Sequence, residues 1–156
     1  MHELKSAQLQ CHATHVFLQD GSLVTPTPGF VVKTSAVKAS PAVDGKPAVP
    51  AGGKVFINIT SADAVAPMVT RQTLDKDGRE QEALNIPLSM GPLRADQDKS
   101  GNDCSVLDVI VNPGVVADSV ADSSGHFRHF VVELALQYSE RKVCAESACF
   151  SLSLVL

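Results

Sequence analysis

Residues 104 to 113 read "CSVLDVIVNP", and this stretch sets the frame for the rest of the chain. Leu107, Val109 and Val111 fall on one side of an extended chain, and Val106, Asp108, Ile110 and Asn112 on the other. Alternation with period two in β-branched residues marks a strand with one almost wholly apolar face. Pro113 lacks the N–H that a ladder needs and ends it. The strand is preceded by "DQDKSGND" (96–103), whose Asp, Ser, Gly and Asn are ordinary turn residues. Before that, "NIPLSMGPL" (85–93) is extended and broken by Pro87, Gly91 and Pro92.

Further strands follow the same logic. "KVFINIT" (54–60) alternates Val55, Ile57 and Ile59 with Lys54, Phe56 and Asn58. "TPTPGFVVKT" (25–34) contains a short apolar run from Phe30 to Val32, and "CFSLSLVL" (149–156) alternates like a last strand. Residues 61–85 are polar, with a turn at "DKDGRE" and no helical stripe. One helix is expected in "SSGHFRHFVVELALQYSERK" (123–142). There Phe127, Phe130, Val131, Leu134, Ala135 and Tyr138 recur at helical spacing, with Ser123 or Ser124 as N-cap. Strands around one or two helices without a βαβ repeat give an α+β fold, a small mixed β-sheet with packed helices.

Between Lys33 and Lys54 the residues "SAVKASPAVDGKPAVPAGG" (35–53) are rich in Ala, Pro, Gly and Lys, with little bulky apolar surface to offset their ordering entropy. They read as a flexible insertion in a domain spanning 25–156, with 1–24 as an N-terminal extension.

A chain of 156 residues is one domain by size, and with no Trp its core must be built of Val, Leu, Ile and Ala. The net charge of −4 argues against direct nucleic-acid binding. Charge is unevenly spread. Residues 21–60 hold Lys33, Lys38, Lys46 and Lys54 against Asp44 alone, whereas acids outnumber bases beyond Ser61. Such a basic strip suits a small anionic ligand. No apolar run reaches the roughly 20 residues of a membrane span, and the N-terminus lacks a signal-peptide core. A cytoplasmic or nuclear location with reduced cysteines is therefore expected.

Catalytic signatures are missing: no nucleophile elbow, Walker loop, dinucleotide glycine pattern or HExxH occurs, so no enzymatic activity is expected. "GGK" (52–54) precedes a strand instead of opening a helix. Cys11, His12 and His15 have ligand-like spacing but fall short of the four ligands of a structural site, and Cys144 and Cys149 lack a second close pair. His126, His129 and Glu133 share the solvated flank of the expected helix. No metal or other cofactor is expected. Lys33, Lys54 and Lys99 remain, each beside a strand, where lysines can converge on one phosphate through charge-assisted hydrogen bonds.

"PGFVVKT", "GKVFINI", "IPLSMGPLRADQDKSGNDCSVLDVIVNP" and "FRHFVVELAL" occur in the order seen in the PIH-domain family, adaptors that work with heat-shock protein 90. The resemblance runs from about Thr25 to Lys142, and "GPLRADQDKSGNDC" is most similar to the kintoun-type branch, which helps preassemble axonemal dynein arms. The other main branch serves a chaperone-adaptor complex with RuvB-like ATPases, which matures box C/D ribonucleoproteins, phosphatidylinositol-kinase-like kinases and RNA polymerase. The resemblance implies an adaptor that recognises an acidic phosphoserine peptide through lysines. Lys33 matches the lysine closing "PGFxxK", Lys54 the one opening "KVFINI", and Lys99 the one in the "DxDKxG" turn.

Two departures from the family pattern stand out. The connection 35–53 is longer than usual, and no Lys or Arg follows Lys142, where relatives carry a basic stretch and later a CS-type domain that recruits chaperone components. The resemblance thus implies a C-terminus truncated relative to the family. The competing reading is a phosphate-independent interaction module that docks through the edge of its last strand.

Overall fold

The computed structural model describes residues 16–17, 21–37, 39–42, 45–143 and 152–154. The Cys11–His15 cluster, Cys144 and Cys149 lie outside them. Two short strands, β1 (Val16–Phe17) and β2 (Leu23–Val24), form a ribbon ahead of the main sheet. That sheet is built from β3 (Thr27–Ala36), β4 (Lys54–Ser61), β7 (Ser89–Met90), β8 (Arg94–Gln97), β9 (Asp103–Val111) and β10 (Leu152–Leu154). An isolated hairpin, β5 (Val69–Leu74) and β6 (Glu80–Asn85), interrupts the crossover from β4 to β9. Helices α1 (Pro113–Ala121) and α2 (His126–Val143) follow β9.

The order is β10-β3-β4-β9, with β7 and β8 sharing the far edge of β9. β4 and β9 run parallel, register Lys54 to Cys104 through Ser61 to Val111, and the other pairs are antiparallel. The sheet is mixed and the fold is α+β, as the sequence predicts.

Parallel pairing places β4 and β9 centrally, and both are buried almost throughout. Val55, Ile57, Ile59, Leu107, Val109 and Val111 join Val115 of α1 and Val131, Val132, Ala135 and Leu136 of α2 in one core. The helices therefore cover the Val55 face. At Gly29 the chain passes so close that an added Cβ would lie 2.6 Å from the Ile59 carbonyl oxygen and 3.0 Å from Val116 of α1. Glycine is needed there for space.

Three local expectations shift. Pro113 does end the strand, but it also opens α1 as its first helical residue, where the missing N–H costs nothing. Asn112 caps that helix by accepting from Gly114 N–H at 3.0 Å. The helix 126–143 starts one or two residues later than an N-cap at Ser124 or Ser123 predicts, and Asp122 holds its first turn by accepting from Phe127 N–H at 2.8 Å. Its buried face is also rotated. Val132, Leu136 and Ser139 turn inward, while Phe130 and Tyr138 of the predicted stripe are 40% and 41% exposed.

Within 35–53, where composition alone pointed to a loose insertion, several of the described residues are tied to the sheet and core. Ser35 and Ala36 extend β3, Gly52 N–H donates to Ala36 O at 2.7 Å, and Ala36 N–H donates to Gly53 O at 2.9 Å. Ser40 and Val49 exchange both backbone bonds, and Val49 sits in the core at 1% exposure. Buried Val49 gives this part of the chain an apolar anchor that its composition does not advertise.

Candidate functional site

Register decides which side chains share a face. The rows Lys33–Phe56–Val106–Arg94 and Ser35–Lys54–Cys104–Asp96 cross β3, β4, β9 and β8. Their parity is opposite to Val55, Ile57 and Leu107, so these rows lie on the face away from the helices. Lys33 and Lys54 are diagonal neighbours there, a relation that spaces residues about 7–8 Å apart. Lys33 is exposed and Lys54 half-buried.

Lys99 arrives by a different route. The turn Asp98–Asn102 links β8 to β9 at the end of the sheet where β4 begins. Asp98 Oδ1 accepts from the N–H groups of Ser100 and Asn102, both at 2.9 Å. Gly101 N–H closes on Asp98 O at 2.9 Å, with Gly101 at φ +79°, which favours glycine. Lys99 is exposed at the tip. Among the described residues, neither Lys33 nor Lys99 has a carboxylate within ion-pair distance.

Lys54 does. Its Nζ donates to Asp98 Oδ2 at 2.6 Å, the shortest contact at this end of the sheet. The Asp98 carboxyl is held down at about 2, first by the Lys54 hydrogen bond and then by the Asn102 N–H. The pair spans 44 positions of sequence, and the sequence signal for it was missed. Asp98 looked like a turn former, which it also is.

Around this pair the chemistry is that of a polar scaffold. Cys104 sits between Lys54 and Asp96 on neighbouring strands, and its thiol is pushed up by burial and then by the charges of Asp96 and Asp98. It is poorly suited to act as a nucleophile. Deeper on the same face, Asp108 is 4% exposed and takes a hydrogen bond from Asn58 Nδ2 at 2.9 Å. Arg94 donates to the same carboxylate through both terminal nitrogens. The network ties β4, β9 and β8 together. Removing Arg94 would leave the buried Asp108 carboxylate with a weaker set of partners, a loss tempered by the partial exposure of Arg94.

No three His, Cys, Asp or Glu side chains among the described residues gather closely enough to hold a metal ion. His129 pairs instead with Glu133 at 3.1 Å on the exposed side of α2. No helix among them is long and apolar enough to cross a membrane.

Comparison with known proteins gives the same frame. Residues 9–147 match the PIH1 N-terminal domain family. Protein kintoun of Chlamydomonas reinhardtii is 31% identical over 150 residues, covering 78% of this chain and 22% of that protein. Protein kintoun of Drosophila persimilis is 34% identical over 124 residues, covering 79% and 13%. Mouse PIH1 domain-containing protein 1 is 29% identical over 126 residues, covering 79% and 38%. The chain thus spans a minor part of each relative's length. The N-terminal domain of yeast PIH1p superposes with a TM-score of 0.59 at 23% identity, over 82% of this chain and 76% of that one. By its fold, its motif order and the extent of this match, the chain belongs to the PIH-domain family.

Proposed function

We propose that this domain is a non-enzymatic adaptor module that binds an acidic phosphoserine peptide at Lys54, Lys33 and Lys99. The observation that carries the reading is the shared face: Lys33 and Lys54 project from adjacent strands on the side opposite α1 and α2, beside the turn that carries Lys99. A phosphoserine brings a charge of about −1.5 to −2 and three acceptor oxygens, enough to engage several ammonium groups at once. Acidic neighbours in the peptide would add steering toward the lysines.

In the whole protein, the reading is a co-chaperone of the heat-shock protein 90 machinery, acting in the cytoplasm on the assembly of large complexes. The kintoun relatives support axonemal dynein preassembly as the setting. The match to mouse PIH1 domain-containing protein 1 keeps the RuvB-like-ATPase branch as the alternative. Recruitment of chaperone components would fall to segments outside this domain.

The test is a fluorescence-polarisation titration of an acidic peptide carrying Ser or phosphoserine at one position, with wild type and Lys54→Ala. Preference for the phosphorylated form, lost in Lys54→Ala, is expected. Equal affinity for the two peptides would instead favour docking through a sheet edge without phosphate.

A further inference from the structure

The group best placed to meet a phosphate is already engaged. Lys54 Nζ lies 2.6 Å from Asp98 Oδ2, and that carboxylate is not free to swing aside. Its other oxygen holds the turn through Ser100 and Asn102, and the Asp98 side chain is 10% exposed. Lys54 keeps 40% of its side chain exposed and has further N–H donors, so a ligand can reach it without unfolding anything. Any anion that does so comes to rest beside a fixed negative charge.

Two consequences of that arrangement oppose each other. Asp98 orders the Lys54 side chain before binding, and it repels the incoming anion. Ordering one lysine is worth at most about thirtyfold in affinity. Repulsion between a dianion and a carboxylate a few ångströms apart is larger at the effective dielectric of a protein surface. Repulsion therefore wins.

Resting on the phosphopeptide reading above, we propose that Asp98 is an intramolecular competitor for the phosphate at Lys54. It lowers the site's affinity for every anion, so that a single peptide carboxylate falls below useful binding while a phosphomonoester stays above it.

The molecule carries its own control. Asp75 occupies the same position in a matching turn, accepting from Asp77 and Arg79 N–H at 2.8 and 2.9 Å, in the β5–β6 hairpin. Affinities for one acidic peptide carrying phosphoserine, Asp or Ser at the same position are measured by titration calorimetry for wild type, Asp98→Asn and Asp75→Asn. Asn keeps the turn's acceptor oxygen and removes the charge. Asp98→Asn is expected to tighten the phosphoserine peptide by about tenfold or more and to bring the Asp peptide into measurable range. Asp75→Asn is expected to change neither. Asp98→Ser, which retains a hydroxyl acceptor for the turn, repeats the measurement if the amide variant folds poorly.

Unchanged or weaker phosphopeptide binding in the Asp98 variants, with wild-type phosphate preference intact, overturns the competitor role and leaves Asp98 as a positioning residue for Lys54. A wild type that does not distinguish phosphoserine from Ser overturns the phosphopeptide reading itself, and this inference with it.

Discussion

Two turns in this protein are built alike and placed differently. "DKDGR" (75–79) joins β5 to β6, and "DKSGN" (98–102) joins β8 to β9. In each, the Asp carboxylate takes two backbone N–H bonds, the Asp carbonyl takes the glycine N–H, and the glycine has φ of +76° or +79°. Each carries a lysine after the Asp, Lys76 or Lys99. The first caps a hairpin whose residues are mostly exposed on both faces. The second is fastened over the central sheet, and its Asp98 reaches Lys54. Local chemistry makes the turn, and tertiary placement makes a candidate site of one copy.

The largest contrast expected between the two turns is in ligand binding. Lys54→Ala should weaken phosphoserine-peptide binding most, by tenfold or more, on the scale of about 1.5–3 kcal/mol for a charged hydrogen bond. Lys33→Ala should cost several-fold and Lys99→Ala about twofold, since a turn-tip lysine loses more entropy on being held. Lys76→Ala should have no effect. A titration series across the four variants checks the order, and a Lys76 effect as large as that of Lys99 would reduce both to general surface charge.

Next in size are the glycines. Forcing an L side chain into the left-handed region costs about 1–2 kcal/mol, so Gly78→Ala and Gly101→Ala should lower stability by similar amounts in urea unfolding. They should differ in binding. Gly101→Ala displaces Asp98 relative to Lys54 and alters phosphopeptide affinity, whereas Gly78→Ala leaves it alone.

The same pair of turns marks how far sequence reasoning reaches. Both turns were legible from Asp, Gly and Lys alone, as were β4, β9, β10 and the existence of α2, because periodicity is a local signal. The strands β5 and β6 were not, since exposure on both faces removes alternation. The first helix was hidden by Pro113, which reads equally well as a strand stop and as a helix start. The face of α2 was misjudged because Phe and Tyr count as apolar wherever they point, while Ser139 hides by bonding Ala135 O at 2.7 Å.

The site divides in the same way. Lys33, Lys54 and Lys99 could be named from motifs, but their common face depends on the register of β3 against β4. Asp98 as the partner of Lys54, and the Asn58–Asp108–Arg94 network beneath, join residues far apart in the chain. Asp108 shares the mixed side of its strand with Val106, Ile110 and Asn112, and alternation alone does not tell that the fold buries it.

The smallest expected effect isolates what placement adds to the second turn. The Asp98 carboxyl stands at about 2, below its ordinary value of 3.8, with the Lys54 hydrogen bond as the largest cause and the Asn102 N–H next. A carboxylate lowered on folding adds stability that is fully present above its unfolded value near 4. That stability is lost as pH falls from there through about 2. Lys54→Ala removes the largest cause and leaves the turn's own hydrogen bonds. In a carbon-13 titration of the side-chain carboxyl, the Asp98 midpoint should therefore move upward in Lys54→Ala without reaching the unfolded value. The acid limb of the variant's stability curve should start at the same pH as that of wild type but be shallower and end at higher pH, because less stability is left to lose. A midpoint unmoved from about 2 would mean that the turn alone holds the carboxylate ionised. The contact with Lys54 would then add little to the ionisation of Asp98, and placement over Lys54 would matter to the second turn only through ligand binding.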